Sequence, residues 1–280
     1  MSALQAIFFA FVQGVTELFP VSSLGHAVVM PALLDWRMDQ KAADFLPFLV
    51  ALHLGTSAAL LLYFRRDWLD FLGALFGFGP KATRAAERRL FWLVVVATVP
   101  AVIVGFAFEK WFRVLFGTPS VAAAFLIVNG VVLFVGERLR RRAGDKPLAE
   151  LGWPAAIMIG VSQCAALIPG ISRSGATMVA GLSAGLRHAE AARFSFLMAT
   201  PIILGAGVLE VPKLLHEQGG LTNLSGLAAI AGVVAGVTAY ASVALLMRYF
   251  KRHDFEALDP FAYYCAAAGA LALAWLVYVK

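Results

Sequence analysis

Six stretches of this chain, residues 45–64, 90–108, 114–136, 194–209, 221–247 and 260–279, contain no Lys, Arg, Asp or Glu. A helix needs about 20 mostly apolar residues to cross the ~30 Å hydrocarbon core of a bilayer, where every backbone hydrogen bond must be made internally. The stretches therefore predict six transmembrane helices in an all-α polytopic membrane protein. Charged residues make up 14% of the chain against 61% hydrophobic ones, and the mean hydropathy is +0.80. A soluble globular domain would carry charge on about a quarter of its residues. The net charge of +6 would suit nucleic acid, but the basic residues lie between the apolar stretches, where orientation signals belong. No nucleic-acid partner is expected. Cys164 and Cys265 both sit inside apolar segments, so there is no disulfide framework to read. No Lys or Arg precedes Arg37, so the N-terminus lacks the charged start of a signal peptide and is expected to stay in the mature protein.

Two more apolar regions are interrupted. Residues 1–34 carry a single charge, Glu17, and Pro20 divides them into arms too short to cross a bilayer at ~1.5 Å per residue. A re-entrant helical hairpin is predicted, with Ser22 or Ser23 capping the second arm. Residues 151–186 read the same way, with Pro169-Gly170 as the break and Ser172 or Ser174 restarting the helix. The stretch Q-G-V-T-E-L-F-P-V-S-S-L-G-H from Gln13 to His26 and the stretch Q-C-A-A-L-I-P-G-I-S-R-S-G-A-T from Gln163 to Thr177 share one grammar. A shift of 150 residues superposes Gln13 on Gln163, Ser22 on Ser172 and Gly25 on Gly175. Non-helical backbone survives at membrane depth only inside protein or against a wet cavity, so two breaks imply one shared polar pocket. Glu17 and Arg173 are the two charges that stand apart from the clusters between apolar segments, one in each stretch.

Each half reads as a hairpin followed by three spans. This gives pseudo-repeats 1–136 and 151–280 within a single membrane domain, joined by a basic linker, 137–150. Three is odd, so the second half enters from the opposite side, an inverted-topology repeat of the kind found in secondary transporters. Arg65, Arg66, Lys81, Arg84, Arg88 and Arg89 follow the first span, Arg138, Arg140, Arg141, Arg142 and Lys146 the third, and Arg248, Lys251 and Arg252 the fifth. The alternate segments hold only Arg37 and Lys41, Lys110 and Arg113, and Lys213. The richer segments are expected in the cytoplasm. Both termini and the first hairpin's entry are then outside, and the second hairpin enters from within.

Gln13 and Glu17, four apart, share a helical face, as do Ser23 and His26 on the next arm. Arg173 and Thr177 share a face on the second hairpin, with Ser172 and Ser174 beside them. This inventory suits a phosphate group: helix N-termini offer free amides, Arg173 a planar fork, and the hydroxyls further hydrogen bonds. A lone carboxylate would repel phosphate, so Glu17 makes sense if a divalent cation bridges the two, with magnesium the usual choice. Against this stand plainer readings: a buried Glu17–Arg173 ion pair that only holds the hairpins together, serines that only cap helices, and a His26 that only packs. His53, inside the first span, is expected to be a packed, hydrogen-bonded histidine.

These stretches resemble the two signature motifs of the undecaprenyl-diphosphate phosphatase family, integral membrane enzymes of the bacitracin-resistance type. The first motif matches Gln13, Glu17, Pro20, Ser22, Ser23, Gly25 and His26. The second matches Pro169, Gly170, Ser172, Arg173, Ser174, Gly175 and Thr177. L-G-T at Leu54 to Thr56, Y-F-R-R at Tyr63 to Arg66 and A-A-R-F-S-F-L at Ala191 to Leu197 extend the resemblance over essentially the whole chain. Where family members often carry an acid after the phenylalanine equivalent to Phe48, this chain has Leu49. The resemblance implies hydrolysis of undecaprenyl diphosphate, a polyprenyl diphosphate lipid, at the outer face of a bacterial inner membrane, with Mg2+ or Ca2+ as cofactor. In the chemistry expected, Ser23 attacks the terminal phosphorus, His26 takes its proton, Arg173 and the helix ends hold phosphoryl oxygens, and Glu17 binds the metal. Gln13, Ser22, Ser172, Ser174 and Thr177 bind substrate. Attack by water, with Glu17 or His26 as base, is the competing route. A transporter or lipid flippase is the alternative function, and the oligomeric state, a homodimer included, is left open.

Overall fold

The computed structural model describes residues 2–36, 45–108, 118–140, 145–217 and 223–279. Helix α1 (Ala3–Thr16) opens with a reciprocal cap, in which the Gln5 amide donates to Ser2 Oγ at 3.2 Å and the Ser2 amide to Gln5 Oε1 at 2.8 Å. A turn through Pro20 leads into α2 (Ser23–Leu33), capped by Ser22. Helices α3 (Phe45–Tyr63) and α4 (Arg65–Phe76) meet at a bend of 73°. Then follow α5 (Lys81–Ala107) and α6 (Pro119–Arg140). Helix α7 (Trp153–Gln163) tightens into a 3-10 turn, Cys164–Leu167, and breaks at Pro169-Gly170. The chain restarts as α8 (Arg173–Ser183), capped by Ser172. Three long helices finish the chain: α9 (His188–Glu217), α10 (Asn223–Arg252) and α11 (Asp259–Tyr278).

The described residues form no strand; their β contact is one bridge, Lys146 to Leu186. Among the described residues four helices, α5, α6, α10 and α11, are long and apolar enough to cross a membrane, and the bent α3–α4 pair makes a fifth if it is one span. Large apolar side chains such as Phe106, Val233 and Leu271 stand on outer surfaces, as a bilayer solvent favours. Helix α4 is a departure from expectation, because the basic connection after the first span is itself helical. Gly77, in the left-handed region at φ 82°, ends it.

Helix α1 lies on α10 as α7 lies on α5; α3 packs on α10 as α9 packs on α5; α3 pairs with α9, and α6 with α11. Helix α6 also touches α2 and α8, and its approach to the second break is close. Gly170 has φ 104°, and a Cβ there would collide with the Ala122 carbonyl of α6. The ends of each helical hairpin meet. Phe8 of α1 packs edge-on against Trp36, just after α2, with ring centroids 6.0 Å apart. The Lys146 amide donates to the Gly185 carbonyl at 2.8 Å, tying the entry of α7 to the exit of α8.

Several contacts gather the basic segments at one end of the bundle. Arg193 pairs with Asp67, and Arg138 with Asp259 at 2.6 Å. Arg89 donates to the carbonyls of Ala149 and Leu151. Buried Glu137 accepts from His188 at 2.8 Å and from the amides of Glu256 and Leu258. Arg37, Lys41, Lys110, Arg113, Arg141, Arg142 and the side chain of Lys213, all used to orient the chain, lie outside what is described.

Candidate functional site

The two breaks lie face to face and satisfy each other's backbone. Ser22 Oγ donates to the Ile171 carbonyl at 3.2 Å, and Ser174 Oγ returns the contact to the Phe19 carbonyl at 3.3 Å. Asn129, fully buried on α6, joins both: its Nδ2 donates to the Pro20 carbonyl at 3.0 Å and its Oδ1 accepts from the Ser172 amide at 3.0 Å. Each restarting helix is capped by the first serine of its motif. The amides of Gly25 and Gly175 donate to Ser22 Oγ and Ser172 Oγ, both at 3.1 Å. Ser22, and not Ser23, is thus the cap of α2. It holds φ 66°, a left-handed backbone that a non-glycine residue adopts only where its surroundings demand it.

With Ser22 capping, Ser23 is free to turn inward. Its Oγ donates to Glu17 Oε2 at 2.6 Å. The same carboxylate accepts from Gln13 Nε2 at 3.1 Å and, through Oε1, from the Arg173 guanidinium at 3.0 Å. His53 Nε2 of α3 is 3.2 Å from Oε2. Its Nδ1 faces the Leu49 carbonyl at 2.7 Å, and a carbonyl only accepts, so Nδ1 carries a proton and Nε2 is the nitrogen turned to the cluster. Gln13, Glu17, Ser23 and Arg173 therefore come together as expected. His53, expected to be a packing residue, joins them.

A cavity of about 300 Å³ opens between the breaks. Glu17, Ser22, Ser23, His53, Gln163, Ser172 and Arg173 are its polar lining, and apolar residues such as Leu49, Ala101, Leu167 and Ile203 complete it. Ser174 and Thr177 support from behind. Thr177 Oγ1 meets Ser195 Oγ at 2.7 Å, and the Ser195 carbonyl accepts from Arg173 at 3.3 Å, which fixes the guanidinium from α9.

His26 is placed elsewhere. Its Nδ1 meets the Ser22 carbonyl at 2.7 Å and its Nε2 the Tyr264 hydroxyl at 2.7 Å, with the two rings stacked at 5.8 Å. Both ring nitrogens are engaged, and neither faces the Ser23 hydroxyl. The expected Ser23-to-His26 proton transfer is not the arrangement found.

As to a metal, no group of three or more His, Cys, Asp and Glu side chains comes together among the described residues. Glu17 is the carboxylate among the described residues lining the cavity, and Leu49, which also lines it, supplies no second one. One carboxylate facing a phosphate-sized space fits an ion that is shared with phosphate oxygens, not an all-protein cage.

Asn129, Ser195 and Tyr264 are site or support residues that the two motifs do not contain. Asn129 had a visible signal, since it is the lone amide side chain in the charge-free stretch 114–136. Residues 6–271 match the family described as "Bacitracin resistance protein BacA". The chain is 54% identical to an undecaprenyl-diphosphatase of Acidiphilium cryptum, over 98% of each chain. It is 55% identical to one of Granulibacter bethesdensis, over 99% of this chain and 97% of the other. A third, from Mycolicibacterium paratuberculosis, is 45% identical over 99% and 98%.

Proposed function

This chain belongs to the bacitracin resistance protein BacA family and hydrolyses undecaprenyl diphosphate to undecaprenyl phosphate and inorganic phosphate, and we propose that it does so in the cavity between the two breaks, with Ser23 as nucleophile and Glu17 as its base. The observation that carries this reading is the 2.6 Å hydrogen bond from Ser23 Oγ to a carboxylate that Arg173 holds from its other oxygen. A nucleophile bonded to a base that a third group orients is the arrangement that activates a weak hydroxyl.

In the proposed reaction Ser23 Oγ forms a bond to the terminal phosphorus while the bond from that phosphorus to the bridging oxygen breaks. Undecaprenyl phosphate leaves with the bridging oxygen, and the Ser23 proton passes to Glu17. Glu17 passes that proton to the departing undecaprenyl phosphate; water then attacks the phosphoserine and the bond from phosphorus to Ser23 Oγ breaks, Glu17 taking a proton from the water and returning it to Ser23 Oγ as inorganic phosphate departs. Arg173 has five N–H donors and uses one on Glu17 and one on the Ser195 carbonyl, so donors remain for phosphoryl oxygens. The first turns of α2 and α8 add backbone amides that have no partner within their helices. Gln13 and His53 hold the carboxylate in place. Glu17 is also the residue that would hold a divalent cation, Mg2+ or Ca2+, which when bound would neutralise charge on the diphosphate.

In the membrane, α9 is read as the sixth span, and α1–α2 and α7–α8 as re-entrant hairpins of an inverted repeat. The joined ends of each hairpin and the exchange symmetry of the helix pairs support this. The basic end is placed in the cytoplasm of a bacterial inner membrane, which opens the first hairpin to the outer face.

Ser23→Ala tests the nucleophile. Phosphate release should be abolished with folding intact, while Ser22→Ala should cost about 1 kcal/mol of stability through the lost cap and much less turnover. A rapid quench with substrate labelled at the terminal phosphate should leave label on the wild-type protein. Turnover of a tenth or more of normal in Ser23→Ala would transfer the attack to water.

A further inference from the structure

Gln163 ends α7 at the mouth of the second break. It is 2% exposed, and neither its Oε1 nor its Nε2 has a hydrogen-bond partner in the protein. Ser162, the preceding residue, donates to the Ile159 carbonyl at 2.7 Å, and Gln13, its counterpart in the first motif, spends its Nε2 on Glu17. Four residues beyond Gln163 stands Leu167, so no carboxylate waits where Glu17 follows Gln13. Burying a carboxamide with both ends unpaired is costly, and an apolar residue of the same size would avoid the cost. The side chain nonetheless borders the cavity, whose lining also includes Ala166, Leu167, Ile202 and Ile203. An isoprenoid chain gains nothing from an amide on that wall. A group rich in anionic oxygens does, since Nε2 offers two donors.

We propose that Gln163 is a substrate-binding residue, whose Nε2 donates to a non-bridging oxygen of the lipid diphosphate. This rests on the cavity being the place of hydrolysis, as proposed above. Bound substrate supplies the partner that the empty protein lacks.

The test uses the purified full-length protein in detergent, with undecaprenyl diphosphate as probe and phosphate release and ligand-free melting temperature as readouts. Gln163→Leu should raise KM about 10- to 100-fold, the range for a hydrogen bond to a charged group, and change kcat by less than severalfold. Gln163→Glu should raise KM further by placing a negative charge against the phosphates. The ligand-free melting temperature of Gln163→Leu should equal or exceed that of wild type, which a structural glutamine would not permit. A KM within twofold of wild type in both variants would overturn the proposal. So would a lowered melting temperature with unchanged kinetics, or failure of both variants to fold, since a side chain whose polar ends touch nothing cannot hold the fold by them. Ser23→Ala run in parallel separates the two failures. If it too keeps wild-type kinetics, the cavity is the wrong place; if it alone is inactive, only the role of Gln163 falls.

Discussion

Replacing Glu17 by Gln keeps the shape and removes the charge on which the cluster converges. Ser23, Gln13 and Arg173 all donate to this carboxylate, with His53 Nε2 3.2 Å away. An amide has one acceptor oxygen. Whichever way it turns, an N–H now confronts either Arg173 or the donors on the other side. With side-chain exposures of 6% for Glu17 and 14% for Arg173, the pair is buried, and removing one partner of such a pair costs about 3–5 kcal/mol. Loss of a general base costs about 10²- to 10⁴-fold in turnover, or roughly 3–5 kcal/mol of activation free energy. The two effects are of equal size, so a single variant does not separate an ion pair that only holds the hairpins from one that also works in catalysis. The double variant Glu17→Gln/Arg173→Gln separates them, because it leaves no buried charge unpaired. Thermal melting in detergent should show it recovering more than half of the stability that Glu17→Gln loses, while phosphate release stays at least 10²-fold down. Recovery of turnover to within tenfold of wild type alongside stability would refute the catalytic reading.

Arg173→Lys keeps the charge but not the two-pronged geometry, and turnover should fall about 10²-fold; near-normal phosphate release would favour a purely structural pair. Asn129→Leu strands the Pro20 carbonyl and the Ser172 amide, at about 1–3 kcal/mol each, so melting should drop clearly and turnover with it, and an unchanged melting temperature would contradict the joining role. In a background lacking Cys164 and Cys265, a cysteine at Ser2 should react with an impermeant thiol reagent from outside intact cells, and one at Arg84 only after permeabilisation. Equal labelling of both from outside would sink the inverted topology.

What the sequence made legible was whatever a bilayer makes expensive. Glu17 and Arg173 were visible because a charge at membrane depth needs a partner, and Pro20 and Pro169-Gly170 because they cut helices too short to span. Ser22 and Ser172 followed from the free amides of the helix that comes next. The partners of α6 and α3 were harder to see. His53 and Asn129 enter the site through the rotation of a long helix about its own axis, which a charge-free stretch does not specify. The i,i+3 spacing of Ser23 and His26 was read as a shared face, yet a helix face spans a wide arc. Ser23, the first residue of α2, turns back to Glu17, while the Ser22 carbonyl draws His26 Nδ1 down the helix and leaves Nε2 to Tyr264. Helix α4 was hidden because its charges read as a connection.

The same contacts that make the site also make the breaks possible. In hydrocarbon an unpaired carbonyl or amide costs several kcal/mol, and the two interruptions expose Pro20, Ile171 and Ser172 to that penalty. Each of these groups is met from outside its own hairpin: Ile171 by Ser22, and Pro20 and Ser172 by Asn129. Neither break can therefore persist at depth without the other and α6. That mutual dependence fixes the distance between the starts of α2 and α8 before any ion pair forms. It delivers Glu17 to Arg173 at hydrogen-bond range, with Ser23 on the same carboxylate and all three lining the cavity. The ion pair is a consequence of how the backbone is satisfied, which leaves its charges available to a substrate.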